Sequence, residues 1–328
     1  MATTTTIVPS AGPVAGSRSF LSRLREGDEI ARMITFLFAA SVVLVTVLLV
    51  FELWQGSVLA RHKFGFNFFH TSVWDPIFEQ FGALPFIYGT LVTATIALLI
   101  AVPLGIGAAI FLAELAPARV SDTLEFFIDL LAAVPSVIYG ILGIFIVVPL
   151  MRQYIQPALK HSLGFLPLFQ GPRVSVSMLT AGVVLAVMVI PFISAVCTDV
   201  FRSVPISQRE AALALGATRW EVVRTAVLPY GKSGVFGAIL LGVGRALGET
   251  IAVAMVIGNR PEIATSLFAP ASTLASVIAN EFAEATSDLY TSALLELGLV
   301  LLVLTMILNA VARLMVRAMS RKFQEARA

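Results

Sequence analysis

The sequence predicts an all-α membrane protein that crosses the bilayer six times. Of its 328 residues, 58% are hydrophobic and 13% are charged, and the mean hydropathy is +0.92. These values exceed what a soluble domain of this size tolerates. A helix needs about 20 apolar residues to cross the bilayer core, and six segments meet that requirement. They are residues 33–51, 86–112, 126–150, 174–200, 235–257 and 293–316.

The six segments are expected to be helices because lipid offers no hydrogen-bonding partner to an open backbone. A transmembrane barrel would show strands of about ten residues with strict alternation of apolar and polar residues. None of the six segments alternates in this way. The first segment is too long, and begins too late, for a cleaved secretory signal. We therefore expect a disordered tail over residues 1–31, a transmembrane domain over 32–320 and a short tail over 321–328.

The distribution of basic residues predicts the orientation of the spans. One side of the membrane, which holds both termini and the second and fourth loops, carries fifteen Lys or Arg residues, whereas the other side carries six. Basic loops stay in the cytoplasm, so both termini are expected there. The net charge of only +2 conceals this asymmetry and gives no indication of nucleic-acid binding.

The composition also argues against metal and redox chemistry. Cys197 is the one cysteine of the sequence, which excludes an internal disulfide and a cysteine metal cluster. The three histidines, His62, His70 and His161, are too scattered to suggest a metal site. We expect no cofactor.

The segment between the fourth and fifth spans, residues 205–229, is charged and predicts a helical hairpin outside the bilayer. Pro205 ends the incoming helix, and Ser207 with Glu210 has the spacing of a capping box that starts a short helix. Gly216 suits the left-handed conformation that ends such a helix. Thr218 begins a second helix by repeating the capping-box spacing with a glutamate three residues on.

This hairpin resembles the EAA loop in the membrane subunits of bacterial ATP-binding cassette (ABC) importers. The residues Glu210-Ala211-Ala212, Gly216 and Leu228-Pro229 occupy the E-A-A, G and L-P places of that loop. In that family, the short helix of the loop lies in a groove on a separate ATPase subunit. The resemblance implies that this chain couples to an ATPase through Glu210, Ala211, Ala212, Gly216 and Ala217.

The residues of the hairpin are compatible with two alternatives. Glu210 and Glu221 can serve simply as helix caps, a role that is compatible with docking. A DNA-binding helix-turn-helix has a similar outline, but a hairpin tethered at both ends to membrane spans could hardly enter a major groove. We therefore expect no nucleic-acid partner.

A nucleotide site within this chain is not predicted. The run Gly231-Lys232-Ser233 is reminiscent of a P-loop, but that pattern needs a glycine where this sequence has Ala226, and a strand before it. A separate subunit must therefore supply ATP hydrolysis, and the chain itself is expected to be non-catalytic.

The fifth span carries the run GRALGET, which places Arg245 and Glu249 inside the bilayer. A charge near the midplane costs roughly 2.5–3.5 kcal/mol, so both residues should face protein or water. Their spacing of four would put them on one face of a continuous helix, where they could pair. Either the pair locks helix packing, or Arg245 offers its donors to an oxyanion on a transport path that Glu249 tunes or gates.

This run, together with residues 82–91 and 131–145, resembles the phosphate-importer permease family PstC. The resemblance extends from about Trp74 to the C-terminus and implies a type I ABC-importer permease in a bacterial plasma (inner) membrane. It also implies that Arg245 and Glu249 line the path of phosphate. The partners implied are a second permease subunit (PstA-like), a pair of ATPase subunits (PstB-like) and an extracytoplasmic phosphate-binding protein (PstS-like).

Several alternatives remain open on the sequence. Sulfate or molybdate is the nearest competing cargo. An ion-driven secondary carrier would also hold intramembrane charges, although it would have no use for the EAA loop. A membrane scaffold would need only packing. The outer segment from His62 to Phe81, which contains Trp74, is either an anchor at the membrane interface or a docking surface for a binding protein.

Overall fold

The structure, a computed structural model, describes residues 28–171 and 174–325, with side chains for residues 29–171 and 174–314. Most of the predicted N-terminal tail and the last three residues of the predicted C-terminal tail therefore lie outside the described residues. Residues 28–31 already belong to the first helix and residues 321–325 to the last one. The basic residues Arg18, Arg23, Arg25, Arg173 and Arg327, which entered the orientation argument, also lie outside the described ranges.

The described chain is helical, and its β contacts are confined to two isolated bridges. In chain order the helices are α1 (Asp28–Gly56), α2 (Val58–Phe64), α3 (Leu84–Leu115), α4 (Ala118–Ala133), α5 (Ser136–Leu163), α6 (Met178–Arg202), α7 (Ile206–Ala214), α8 (Arg219–Gly248), α9 (Ile251–Ile257), α10 (Leu274–Glu281) and α11 (Asp288–Glu325).

Within the described ranges, six helices are long and apolar enough to cross a membrane. These are α1, α3, α5, α6, α8 and α11. Each of them overlaps one of the six apolar segments of the sequence, so the prediction of an all-α protein with six membrane helices is confirmed.

The contacts divide the chain into two units, residues 1–52 and 53–328. The described part of the first unit is a single helix. Its side chains over residues 30–49 are exposed, and nearly all of them are apolar. A long helix that is apolar on every side requires lipid around it.

The core of the second unit is built around α6, the most buried of the long helices. Helices α3, α4, α8 and α9 pack against it, and α3 makes the most extensive contact. Small residues allow this close approach. A Cβ added to Gly182 of α6 would lie 2.6 Å from a methyl carbon of Ile96 in α3. Membrane helices commonly associate through such small residues.

Gly89 of α3 provides a direct test of this packing. An added Cβ would lie 2.1 Å from the backbone oxygen of Ser272, which cannot move away as a flexible side chain could. We expect Gly89→Ala to destabilise the protein by about 1–3 kcal/mol, the usual range for overpacking. Thermal unfolding in detergent measures the loss. Gly107→Ala in the same helix is the matched control, because its Cβ would meet no atom within 4 Å. Equal stability of the two variants would contradict this account of the packing.

The predicted third span, residues 126–150, is wrong as a single helix. Residues 126–133 belong to α4, and a new helix begins at Ser136. Val134 and Pro135 between them have extended backbone conformations. The physical reason is Pro135: it has no N–H to donate, and it forces the residue before it out of the helical conformation. The apolar run of the sequence continues across the break, so hydropathy did not reveal it.

A second apolar cluster involves the outer segment from His62 to Phe81. Trp74 is only 7% exposed, and its ring packs edge-on against Phe81 and Phe86 at centroid distances of 4.8 and 4.9 Å. The Trp74 Nε1–H donates to a carboxylate oxygen of Glu281 at 2.8 Å. Trp74 is therefore a core residue of this cluster. Phe66 and Phe78, which are 87% and 74% exposed, are the aromatic residues of this segment most available to lipid or to a partner.

Candidate functional site

Arg245 lies in the last turn of α8, within the core of the second unit. It is half-buried, and its Nε is buried without a hydrogen-bond partner among the described residues. Its Cζ atom lies 5.6 Å from the ring centroid of Phe192 in α6, a cation–π contact. A guanidinium in a bilayer is costly unless its charge and donors are satisfied. Arg245 is thus suited to receive an anionic group from outside the chain.

Glu249 does not continue the helix that carries Arg245. Its backbone is extended, with φ −70° and ψ 126°, and α8 ends at Gly248. Its Oε1 accepts a hydrogen bond of 3.3 Å from the N–H of Ala252 in the first turn of α9. The predicted helix over residues 235–257 is therefore two helices. The predicted placement of Arg245 and Glu249 on one helix face is wrong, because the chain leaves the helical conformation at Glu249.

The two residues nevertheless line the same space. A cleft of about 510 Å³ is bordered by Gly244, Arg245, Gly248 and Glu249 on one side and by residues 132–136 on the other. No ion pair joins Arg245 to Glu249 in the part of the chain that the structure describes. In one alternative, Arg245 and Glu249 form an ion pair that only locks helix packing. The ion pair on which this alternative depends is missing from the described residues.

Two helix breaks face each other across this cleft. One lies between α4 and α5 at Val134-Pro135, and the other between α8 and α9 at Glu249-Thr250. Non-helical backbone at membrane depth is tolerated where it borders a cavity, and broken helices form substrate sites in many transporters. The Tyr139 hydroxyl spans the first break by donating to the carbonyl of Leu131 at 2.7 Å. The cleft can hold a small anion between the Arg245 guanidinium and the non-helical backbone of the two breaks.

The hairpin between α6 and α8 contains a short helix and a glycine turn. Gly216 has a φ of +86°, as the sequence predicted. Its N–H donates to the carbonyl of Leu213 at 2.9 Å, and the N–H of Ala217 donates to that of Ala212 at 3.2 Å. These two bonds form a Schellman motif, which satisfies the last carbonyls of α7. The turn is therefore rigid.

The two predicted capping boxes have different outcomes. Thr218 and Glu221 form one at the start of α8: the Thr218 N–H donates to a Glu221 carboxylate oxygen at 2.7 Å. These bonds hold the pKa of Glu221 below its usual value. The box predicted for Ser207 and Glu210 is wrong. α7 begins at Ile206, with Pro205 as its cap and no side-chain cap bond. The helix starts two residues earlier than this box requires, which places Ser207 inside the helix.

The predicted coupling residues are close together in the chain but face two directions. Glu210, Ala211 and Gly216 are exposed, whereas Ala212 and Ala217 pack against the core. All five residues belong to one turn, and Glu210, Ala211 and Gly216 form its exposed surface. α8 begins three residues after Gly216 and carries Arg245 about 40 Å away, at 1.5 Å per residue. One helix thus connects this surface with the cleft.

Sequence reasoning missed the apolar residues of this surface. Leu213, Leu215 and Trp220 are 49%, 90% and 56% exposed. Exposed apolar residues on an otherwise charged turn are typical of a binding surface. The signal that could have found them is the placement of Leu215 directly before the left-handed Gly216, where a side chain is held outside the helix.

Comparison with known proteins identifies the family. Residues 101–324 match the family described as "Binding-protein-dependent transport system inner membrane component". A relative from Mesorhizobium japonicum, "Phosphate transport system permease protein PstC", is 48% identical over 84% of this chain and 86% of its own length. A relative from Xylella fastidiosa with the same description is 45% identical over 97% of this chain and 99% of its own length. One from Haemophilus influenzae is 46% identical over 90% and 94%.

Solved structures support the fold. The bacterial alginate ABC transporter, solved in complex with an alginate pentasaccharide-bound periplasmic protein, contains a chain that superposes with a TM-score of 0.61. The match covers 90% of this chain and 98% of that one, at 15% identity. At this identity the likeness concerns the fold alone. This chain belongs to the binding-protein-dependent transport system inner membrane components and, within them, to the PstC permease family.

Proposed function

We propose that this chain is the membrane-spanning subunit of an ATP-driven phosphate importer and forms half of the translocation pathway. The observation that carries the proposal is the half-buried guanidinium of Arg245, without a carboxylate partner in the described chain, in a cleft between two helix breaks. The relatives that are 45–48% identical are phosphate transport permeases. Phosphate is an anion and can neutralise the positive charge of this guanidinium.

The chemistry of the cleft favours phosphate over a fully ionised oxyanion. Arg245 offers several N–H donors in the planar arrangement that binds phosphate oxygens in pairs. Phosphate retains a proton near neutral pH and can donate it to a carboxylate, whereas sulfate has no proton to donate. Glu249 lines the same cleft, so its carboxylate accepts from phosphate and repels sulfate. Arg245 and Glu249 together thus favour a protonated oxyanion.

The energy for transport comes from a separate ATPase pair (PstB-like) that docks on the turn from Glu210 to Ala217. This turn is exposed and rigid, and it presents Leu213 and Leu215 to a partner. A short helix with apolar side chains is suited to lie in a groove on another protein. The chain itself performs no chemistry on the nucleotide and receives the movement of the ATPase pair.

We infer the remaining partners from membership in the PstC permease family. A second permease subunit (PstA-like) supplies the other half of the pathway, and a phosphate-binding protein (PstS-like) delivers the ion from outside. The chain resides in a bacterial plasma (inner) membrane. The basic residues around the coupling turn, among them Arg202, Arg219 and Arg224, support a cytoplasmic position for this turn and for both termini.

The proposal is tested by transport in vesicles that contain this chain, the second permease, the ATPase pair and the binding protein. We expect uptake of radiolabelled phosphate that requires ATP and that excess sulfate or molybdate does not inhibit. Vesicles without the ATPase pair are the control. Preferred uptake of another oxyanion would refute phosphate as the cargo, and uptake without ATP would refute the importer class.

A further inference from the structure

Arg209 directly precedes Glu210 in α7 and contacts parts of two long helices. Its Nη2 donates to Glu114 Oε1 at 2.8 Å and to the carbonyl of Phe201 at 2.7 Å. Its Nε lies 3.2 and 3.3 Å from the two Glu114 oxygens, and its Nη1 donates to the carbonyl of Val204. One guanidinium thus joins α7 to the end of α3, the end of α6 and the linker between α6 and α7.

This ion pair differs from an ordinary surface salt bridge. The side chains of Arg209 and Glu114 are only 20% and 10% exposed. Several donors of the guanidinium are engaged at once, which fixes its orientation. A partly desolvated, multiply bonded pair holds its geometry far better than an exposed pair, which loses its attraction to solvent and salt. The contact therefore behaves as a stiff connection.

Short covalent segments connect α7 to two of the long helices. It follows α6 through residues 203–205 and precedes α8 through the turn at Gly216. Neither segment includes a residue of α3, to which the Glu114–Arg209 contact joins α7 directly. Glu114 lies in the last, π-helical turn of α3, and α3 packs along α6. Since Phe192 of α6 contacts Arg245, a displacement of α6 reaches the cleft.

We propose that the Glu114–Arg209 ion pair is the mechanical link through which a displacement of α7 moves α3 and α6. This inference rests on the proposed function, in which α7 receives the movement of the ATPase pair. Arg209 is a positioning residue, since it contacts neither the cleft nor a nucleotide. Its role is to convert a push on the coupling turn into a change around Arg245.

A second ion pair at the same end of α6 provides the matched control. Arg202 Nη1 lies 2.9 Å from Glu125 Oε2, and Arg202 Nη2 donates to the Ser121 hydroxyl at 2.9 Å. This pair joins α6 to α4, and neither of its side chains hydrogen-bonds to α7 among the described residues. It is also an Arg–Glu pair, with side chains that are 43% and 21% exposed, so its removal controls for the loss of an ion pair as such.

The experiment measures phosphate imported per ATP hydrolysed, with the complete transporter in vesicles. Glu114→Gln, Arg209→Gln and the double variant are each expected to lower this ratio by at least about 10-fold, while ATPase association and ATP hydrolysis persist. The double variant should be no worse than either single variant, because the two residues act as a unit. Glu125→Gln should leave the ratio unchanged. Arg209→Lys keeps the charge and loses the planar fork, so it should also lower the ratio and serves if Arg209→Gln fails to assemble.

Three results would overturn the link: an unchanged ratio in the Glu114 and Arg209 variants, an equal loss in Glu125→Gln, or effects that add in the double variant. A parallel fall of ATP hydrolysis and assembly in all of these variants, Arg209→Lys included, would show a merely structural role and would overturn it as well. Failure of the proposed function looks different, because the unmodified transporter would then show no ATP-dependent phosphate uptake. The variants are therefore compared only with an unmodified transporter that shows ATP-dependent phosphate uptake.

Discussion

Arg245→Ala is expected to lower ATP-dependent phosphate uptake by about 100-fold or more, while the transporter still assembles. Each hydrogen bond to a charged group contributes about 1.5–3 kcal/mol, and a tenfold change corresponds to about 1.4 kcal/mol. The loss of two such bonds from one guanidinium therefore removes most transport. Assembly should survive because the side chain forms no ion pair with a described residue, and its contact with the Phe192 ring is a weak one.

The measurement compares initial rates of radiolabelled phosphate uptake with the amount of co-purified ATPase. Arg245→Lys keeps the charge but presents a single ammonium in place of the planar fork, so we expect an intermediate rate. Arg152→Ala is the control, since it removes the same charge from an exposed position outside the cleft. Normal uptake by Arg245→Ala would exclude Arg245 from the path of phosphate.

Changes in the coupling turn are expected to separate the chain from its ATPase. Glu210→Lys and Gly216→Asp should each weaken ATPase association by at least about 10-fold, because reversed or added charge at a complementary interface costs several kcal/mol. Gly216→Asp also places a side chain at a φ of +86°, a conformation that costs roughly 1–2 kcal/mol for most residues. An added Cβ there meets no atom within 4 Å, so the rest of the chain should fold normally.

Co-purification of the ATPase and stimulation of ATP hydrolysis report this loss. Asp122→Lys is the control: it reverses an exposed acidic charge on α4, outside the turn, and should leave association unchanged. If both turn variants retained the ATPase and its stimulation, the docking role of residues 210–217 would be refuted.

The positions of the cleft and the coupling turn suggest routes by which a movement of the ATPase pair reaches the cleft. α8 connects them directly, since it begins just after the turn and carries Arg245 in its last turn. The proposed Glu114–Arg209 link adds a second route through α3 and α6. In both routes a rigid helix carries the displacement, and the helix breaks at the cleft allow the site to change shape.

Features of the sequence that act over a few residues were predictable. Long apolar runs predicted the six membrane helices, since hydrogen bonding within lipid leaves helices as the economical choice. The left-handed conformation at Gly216 and the capping box of Thr218 with Glu221 were also predictable, because both depend on residues within one helical turn. The prediction of a cap at Ser207 was wrong although it was equally local, since the helix starts two residues earlier and a small shift of the start removes a cap.

Other features appeared only in the tertiary structure. The breaks at Pro135 and Glu249 interrupt apolar runs that look continuous, and their importance comes from facing each other across one cleft. Arg209 and Glu114 are 95 residues apart in the chain, so no local pattern relates them.

The sequence by itself determined the membrane class, the six helices and the glycine turn of the hairpin, because hydropathy and helix caps are local properties. The tertiary structure decided that Arg245 and Glu249 line one cleft without pairing and that Arg209 binds Glu114, because these contacts depend on how distant helices pack.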